Sequence, residues 1–121
     1  YKTGARQHRD LFVNVLKLVN HHPMVTTKLP SAGRISLLHQ PQSQRYVAHL
    51  LYGTPIQRGE CEVIEDLPEL REVPLTVDFP EAIQRAFLLP DEVELPLNDV
   101  DGKLAVTIPA FSCHCAVVFE Y

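Results

Sequence analysis

On both sides of one short turn near the C-terminus, apolar and polar residues alternate, and this limits the possible folds more than any other feature. Val93, Leu95 and Leu97 alternate with polar or proline positions, and Leu104, Val106 and Ile108 alternate with Lys103, Ala105 and Thr107. A period of two belongs to half-buried strands. Asp101-Gly102 lies between them as the turn. A two-residue turn pairs Leu97 with Val106 and Leu95 with Ile108, whereas a four-residue loop from Asp99 to Gly102 pairs Leu97 with Leu104 and Leu95 with Val106. Either length sets the apolar side chains on one face, and an odd-length loop would split them between two. A closing strand follows, so the expected inward face is Leu95, Leu97, Val106 and Ile108, with Val117 and Phe119 completing the core. None of these residues carries reaction chemistry.

Upstream, one helix is expected from about Arg6 to Val19. Leu11, Phe12, Val15, Leu16 and Val19 recur at spacings of one, three and four, while Arg9, Asp10, Asn14 and Lys17 fall largely outside that stripe; the helix is amphipathic and calls for a partner surface. Asn20, His21, His22 and Pro23 end it, because proline disfavours helix at the residue before it. The period then changes. Strands are expected at Val25 to Leu29, Arg34 to Gln40, Arg45 to Tyr52, Glu62 to Leu67, Val73 to Phe79 and Gln84 to Leu89, before the C-terminal hairpin. Gly53 to Glu60 reads as an exposed loop. Arg34 to Gln40 and Arg45 to Tyr52 are expected to pair antiparallel across Pro41-Gln-Ser-Gln44. Pro74 suits an edge strand or a strand start. About eight short strands bounded by Pro, Gly or Asp, after one N-terminal amphipathic helix, predict an all-β antiparallel β-sandwich, with an antiparallel barrel as the rival. The chain has no internal repeat.

A chain of 121 residues can bury one core unaided, and 45% hydrophobic with 21% charged residues is ordinary for a globular domain. The net charge of -4 and the absence of a Lys/Arg cluster argue against nucleic acid. No apolar run is long enough to cross a bilayer, so neither nucleic acid nor membrane is expected as a partner. The chain opens at Tyr1 without a Met and soon enters the helical pattern, which is expected of a piece of a longer polypeptide or of a processed chain.

Candidate chemistry is sparse. His21 and His22 are adjacent on an ending helix, so their side chains diverge. On a strand, Cys113 and Cys115 share a face with Val117 and Phe119 while His114 points away, so Cys113-His114-Cys115 cannot close one tetrahedral metal site without a bulge. A buried thiol pair is expected there, with a disulfide from Cys61 to Cys113 or Cys115 as the alternative, and three cysteines leave at least one thiol unpaired. His39 and His49 with Ser36, Ser43 or Ser112 lack any nucleophile elbow. The run Glu60, Glu62, Glu65, Asp66, Glu69 and Glu72 reads as a solvated loop and edge. Tyr46 and Tyr52 share strand parity with Ala48 and Leu50, and with no Trp in the chain a flat sugar platform is not expected. No catalytic, cofactor-binding or metal residue is therefore assigned, and no cofactor.

Several stretches follow one another in a recognisable order: His8-Arg9-Asp10-Leu11 and Val13-Asn14-Val15-Leu16 in the helix, then Leu29-Pro30, Leu37-Leu38-His39-Gln40 and Arg45-Tyr46-Val47-Ala48-His49-Leu50-Leu51. The order continues through Val73-Pro74-Leu75-Thr76-Val77, Leu89-Pro90, Asp101-Gly102 and Val106-Thr107-Ile108-Pro109. It resembles the C-terminal end of bacterial glycoside hydrolases of the β-galactosidase kind, which combine a catalytic barrel, a trimerisation domain like a class I glutamine amidotransferase and a terminal β-sandwich. The resemblance implies that residues 1–22 are a helix trailing from a preceding domain or linker and residues 23–121 an accessory sandwich. The family's catalytic glutamates belong to the barrel, upstream of Tyr1. The implied function is a non-catalytic accessory domain, its partners the catalytic and trimerisation-like domains of the same polypeptide. A carbohydrate-binding module, with carbohydrate as partner, is the alternative.

Overall fold

The computed structural model describes residues 6–121. Helix α1, Arg6–Val19, has the expected bounds and is followed by eleven strands among the described residues. They are β1 (Val25–Thr27), β2 (Arg34–Gln40), β3 (Arg45–Leu51), β4 (Ile56–Arg58), β5 (Cys61–Val63), β6 (Leu70–Val77), β7 (Arg85–Leu89), β8 (Val93–Glu94), β9 (Asn98–Val100), β10 (Lys103–Phe111) and β11 (His114–Glu120). One sheet runs β1-β6-β10-β9 and the other β2-β3-β11-β7-β8, all antiparallel, with β4-β5 as a separate ribbon. The architecture is the expected β-sandwich.

Its core follows from the two-residue period. Tyr46, Ala48 and Leu50 of β3 and Cys115, Val117 and Phe119 of β11 face Val73, Leu75 and Val77 of β6 and Val106, Ile108 and Phe111 of β10 in one buried cluster. Leu50, Leu75, Ile108, Val117 and Phe119 are fully buried. Each such side chain contributes about 1.5–3 kcal/mol relative to exposure. Leu95 is buried and Leu97 half-buried against the same cluster, so the inward face expected of the C-terminal stretch is the one observed.

The hairpin itself differs in one respect. Val100 pairs with Lys103 and Asn98 with Ala105, the register of the two-residue turn, with Asp101 at φ 55 and Gly102 at φ 76. Both positive values belong to a type I′ turn, whose twist matches that of the flanking strands. The Gly102 N–H donates to Asp99 Oδ1 at 3.1 Å. Continued upstream, this register would place Leu97 and Leu95 on the same sheet. Instead the chain crosses between sheets at Pro96: β8 pairs with β7, and the Leu95 N–H donates to the Ala86 carbonyl at 2.9 Å. Proline lacks the N–H that a continuous ladder would need there.

Other local differences have equally local causes. The expected loop Gly53 to Glu60 contains β4, which turns at Gly59 (φ 61) and pairs with β5; its three residues are too short to show a period. Strand β6 begins at Leu70 and is an interior strand, yet β1 pairs only with its Leu75 to Val77. Pro74 therefore lies where no β1 residue opposes it, and the Thr27 hydroxyl donates to its carbonyl at 2.9 Å. No helix among the described residues is long and apolar enough to cross a membrane.

Helix α1 ends with the Asn20 N–H donating to the Leu16 carbonyl at 2.8 Å. None of its residues is buried. Phe12 is 62% exposed, Leu16 48% and Leu11 65%, so the apolar stripe read from the sequence has no partner within the described chain.

Candidate functional surface

Strand registers place four rows of side chains across the outward face of the five-stranded sheet. Ser36, His49, Ala116 and Leu89 form one, and Leu38, Val47, Val118, Phe87 and Glu94 the next. Arg34, Leu51 and His114 flank the first, and Gln40, Arg45, Glu120 and Arg85 flank the second. The result is an apolar belt between polar borders. Val47, Phe87, Ala116 and Val118 form a second buried cluster on this face, and the Arg85 guanidinium lies 4.7 Å over the Phe87 ring while pairing with Glu94 at 2.8 Å. A cation over a ring both shields it from water and interacts with its quadrupole.

His49 and His114 meet on this surface. The His49 Nδ1 and His114 Nε2 atoms share a hydrogen bond at 3.1 Å. Their ring centroids are 5.4 Å apart with planes inclined by 13°, so the rings meet edge to edge in nearly one plane. An N–H of one ring faces a lone pair of the other. Beside them lies an open depression of about 330 Å³ bounded by Leu89, Pro90 and Ala116. Among the described residues no carboxylate orients the pair and no hydroxyl or thiol is hydrogen-bonded to it, so it lacks the parts of a nucleophile–base system.

The other sequence candidates are dispersed. His39 faces the opposite side of the sheet, stacked on Tyr46 at 4.2 Å and hydrogen-bonded to the Tyr121 hydroxyl at 2.9 Å. Tyr46 stacks in turn on Phe79 at 4.0 Å and donates its hydroxyl proton to Glu81 Oε2 at 2.7 Å. Burial first, then that bond to a carboxylate, pushes the Tyr46 phenol up to about 12. This column of rings closes one end of the sandwich. His21 and His22 are exposed on the chain between α1 and β1.

Cys113 and Cys115 do not form the expected buried pair. Cys113 is not on the closing strand: β11 begins at His114, and Cys113 occupies the tight crossing from β10 with φ 63, its carbonyl accepting from the Tyr52 N–H at 2.8 Å. Cys113 and Cys61 are exposed and Cys115 alone is buried, all three as free thiols. Burial pushes the Cys115 thiol up to about 11, which keeps it protonated and inert. No group of three or more metal-ligating side chains converges among the described residues.

The acidic run is solvated as read: Glu60, Glu62, Glu65, Asp66, Glu69 and Glu72 are all exposed. Glu65 receives two guanidinium N–H bonds from Arg58, at 2.9 and 2.7 Å, and its carboxyl is held below the usual range by them. A second depression, of about 180 Å³, gathers Asp78, Glu81, Asp99 and Lys103, with Lys103 3.6 Å from Asp78. Tyr46 is buried and Tyr52 half-buried against the core, so neither lies open as a platform for a sugar ring. Sequence reasoning missed the His49–His114 contact; the outward parity of His114 was readable, but its meeting with His49 depends on the β3–β11 register.

Comparison with protein families and with curated proteins finds no match. Among solved structures the chain is similar to part of alpha-L-fucosidase isoenzyme 2 from Paenibacillus thiaminolyticus, with 34% sequence identity and a TM-score of 0.82. The similarity covers 92% of this chain and 17% of that one, so this chain spans less than a fifth of the protein it matches.

Proposed function

We propose that this chain is a non-catalytic accessory domain of a larger glycoside hydrolase, which it stabilises or helps to assemble. The observation that carries this reading is the match of 92% of the chain to a 17% portion of a glycoside hydrolase at 34% identity. Two features support it. The described residues assemble no nucleophile, base and orienting acid; one depression on the sandwich is bounded by a bare histidine pair and another by scattered charges. Helix α1, with Phe12 62% exposed and none of its residues buried, has the character of a segment that packs against a neighbouring domain. Residues 1–22 are then the helix trailing from a preceding domain, and residues 23–121 the accessory sandwich. The resemblance of the sequence extends the proposal to a β-galactosidase-type arrangement, with a catalytic barrel and a trimerisation-like domain as partners in the same polypeptide.

The test uses the encoding gene and its full-length product. A catalytic module should stand in the same reading frame. Its product should hydrolyse an aryl glycoside, with p-nitrophenyl β-galactoside and α-L-fucoside as the first probes, while the 121-residue chain hydrolyses neither. Phe12→Ser with Leu16→Ser in the full-length enzyme should lower its thermal midpoint by several degrees or change its assembly, with kcat/KM nearly unchanged below that midpoint. Turnover by the isolated chain, or a gene that starts at Tyr1, would sink the proposal.

A further inference from the structure

The sandwich has four edge strands, and three of them are blunted. β1 and β9 have three residues each and β8 has two; β9 carries Asp99, β8 carries Glu94, and Pro96 follows β8. Short length, charge and proline are the usual means of keeping an edge from pairing with another chain. β2 has none of them. It runs for seven residues, Arg34–Gln40, contains no proline or carboxylate, and carries its one formal charge at its first residue.

Its side chains carry the same message on both faces. Ile35 and Leu37 point toward the core but are only partly buried, because β2 lies at the rim of the five-stranded sheet, whose partner sheet has four strands. On the opposite face Leu38 is 49% exposed. An edge with a free backbone ladder and uncovered apolar side chains above and below it is a template for one more strand.

The sequence of β2 favours a second copy of itself as that strand. Antiparallel pairing centred on Leu37 sets Leu37 of one copy against Leu37 of the other, Ile35 against His39, Ser36 against Leu38 and Arg34 against Gln40. The pairing uses the whole strand, keeps core-facing positions on one face, and opposes no like charges. The two Leu38 side chains become diagonal neighbours on the outward face, close enough to cover one another. Such a contact is isologous and closes as a twofold dimer.

We propose that β2 is an interface strand through which two copies of this chain associate, their five-stranded sheets joining into one continuous antiparallel sheet across a twofold axis at Leu37. This proposal stands apart from the accessory-domain reading, since it concerns the edge of the sandwich and not α1 or any upstream domain.

Sedimentation velocity of the 121-residue chain over a range of concentrations tests it. A concentration-dependent dimer is expected. Leu38→Lys, which sets two ammonium groups near each other across the axis, should raise its dissociation constant about tenfold or more, with circular dichroism and the thermal midpoint of the monomer unchanged. Ser36→Glu should do the same, and serves if Leu38→Lys fails to fold. Phe12→Ser with Leu16→Ser should leave the dimer intact. Backbone amide exchange in β2 should slow as the dimer fills. A chain that stays monomeric at millimolar concentration, a dimer indifferent to both edge substitutions, or a dimer dissolved by the helix substitutions would each overturn the proposal.

Discussion

Tyr46 joins three kinds of interaction in one side chain. Its ring lies between His39 and Phe79, its hydroxyl donates to Glu81, and it is 2% exposed. The phenol, raised from 10.0 to about 12 chiefly by burial, is stabilised in its neutral form by the fold. The folded protein therefore holds this proton where the unfolded chain has lost it. Stability from Tyr46 is fully present below pH 10.0 and falls as pH rises from there toward 12. Tyr46→Phe keeps the ring and removes the hydrogen bond to Glu81, which should cost about 1 kcal/mol at neutral pH and flatten the alkaline part of the stability profile. Urea unfolding of both proteins at neutral pH and through the alkaline window measures the two effects. An alkaline limb equally steep in the variant would assign the titration to another group. The shared parity of Tyr46 with Ala48 and Leu50 was readable, but not which face of that strand lies inward. Its bond to Glu81, 35 residues away, was not readable either, because no local pattern records a long-range polar contact.

At the scale of elements, the turn between β9 and β10 shows how backbone geometry decides a residue's worth. A side chain added at Gly102 would meet nothing within 4 Å, so space is not the constraint there. The constraint is φ 76, which L-residues adopt at a cost of about 1–2 kcal/mol. Gly102→Val should therefore lower unfolding stability by roughly that amount, read as a shifted denaturant midpoint with an unchanged slope. Gly102→Asn should lose less, since Asn tolerates the left-handed region. A variant as stable as the parent would mean that the turn has changed type. The Asp101-Gly102 turn and the pairs flanking it were legible because a hairpin is a local structure. The division of the preceding stretch into β8 and β9 was not, because its alternation runs unbroken through Pro96 and both sheets accept the same apolar face.

For the whole molecule, the contrast between the sandwich and α1 is the main energetic fact. Leu50 is fully buried between the sheets, while Leu16 has a similar side chain left 48% exposed on α1. Leu50→Ala should cost about 2–5 kcal/mol, the range for opening a cavity in a packed core. Leu16→Ala should stay within about 0.5 kcal/mol in the 121-residue chain. Thermal or denaturant unfolding of the two variants distinguishes them. A large loss from Leu16→Ala would show that α1 packs on the sandwich after all. The expected pair of values would leave the apolar face of α1 free for a partner surface, as the accessory-domain proposal requires.

By itself the sequence determined the helix bounds, the strand-rich sandwich, the inward parity of β6, β10 and β11, and the absence of a reaction motif. Each is recorded in spacing along the chain, since periods of 3.6 and two are properties of local backbone geometry. Only the tertiary structure decided which strands lie at the edges, that the chain changes sheets at Pro96, that Cys113 occupies a crossing turn while Cys115 is buried, and that His49 meets His114 across the β3–β11 register. These depend on which distant segments pair and in what order, and the alternation within a strand is the same whichever neighbour it finds.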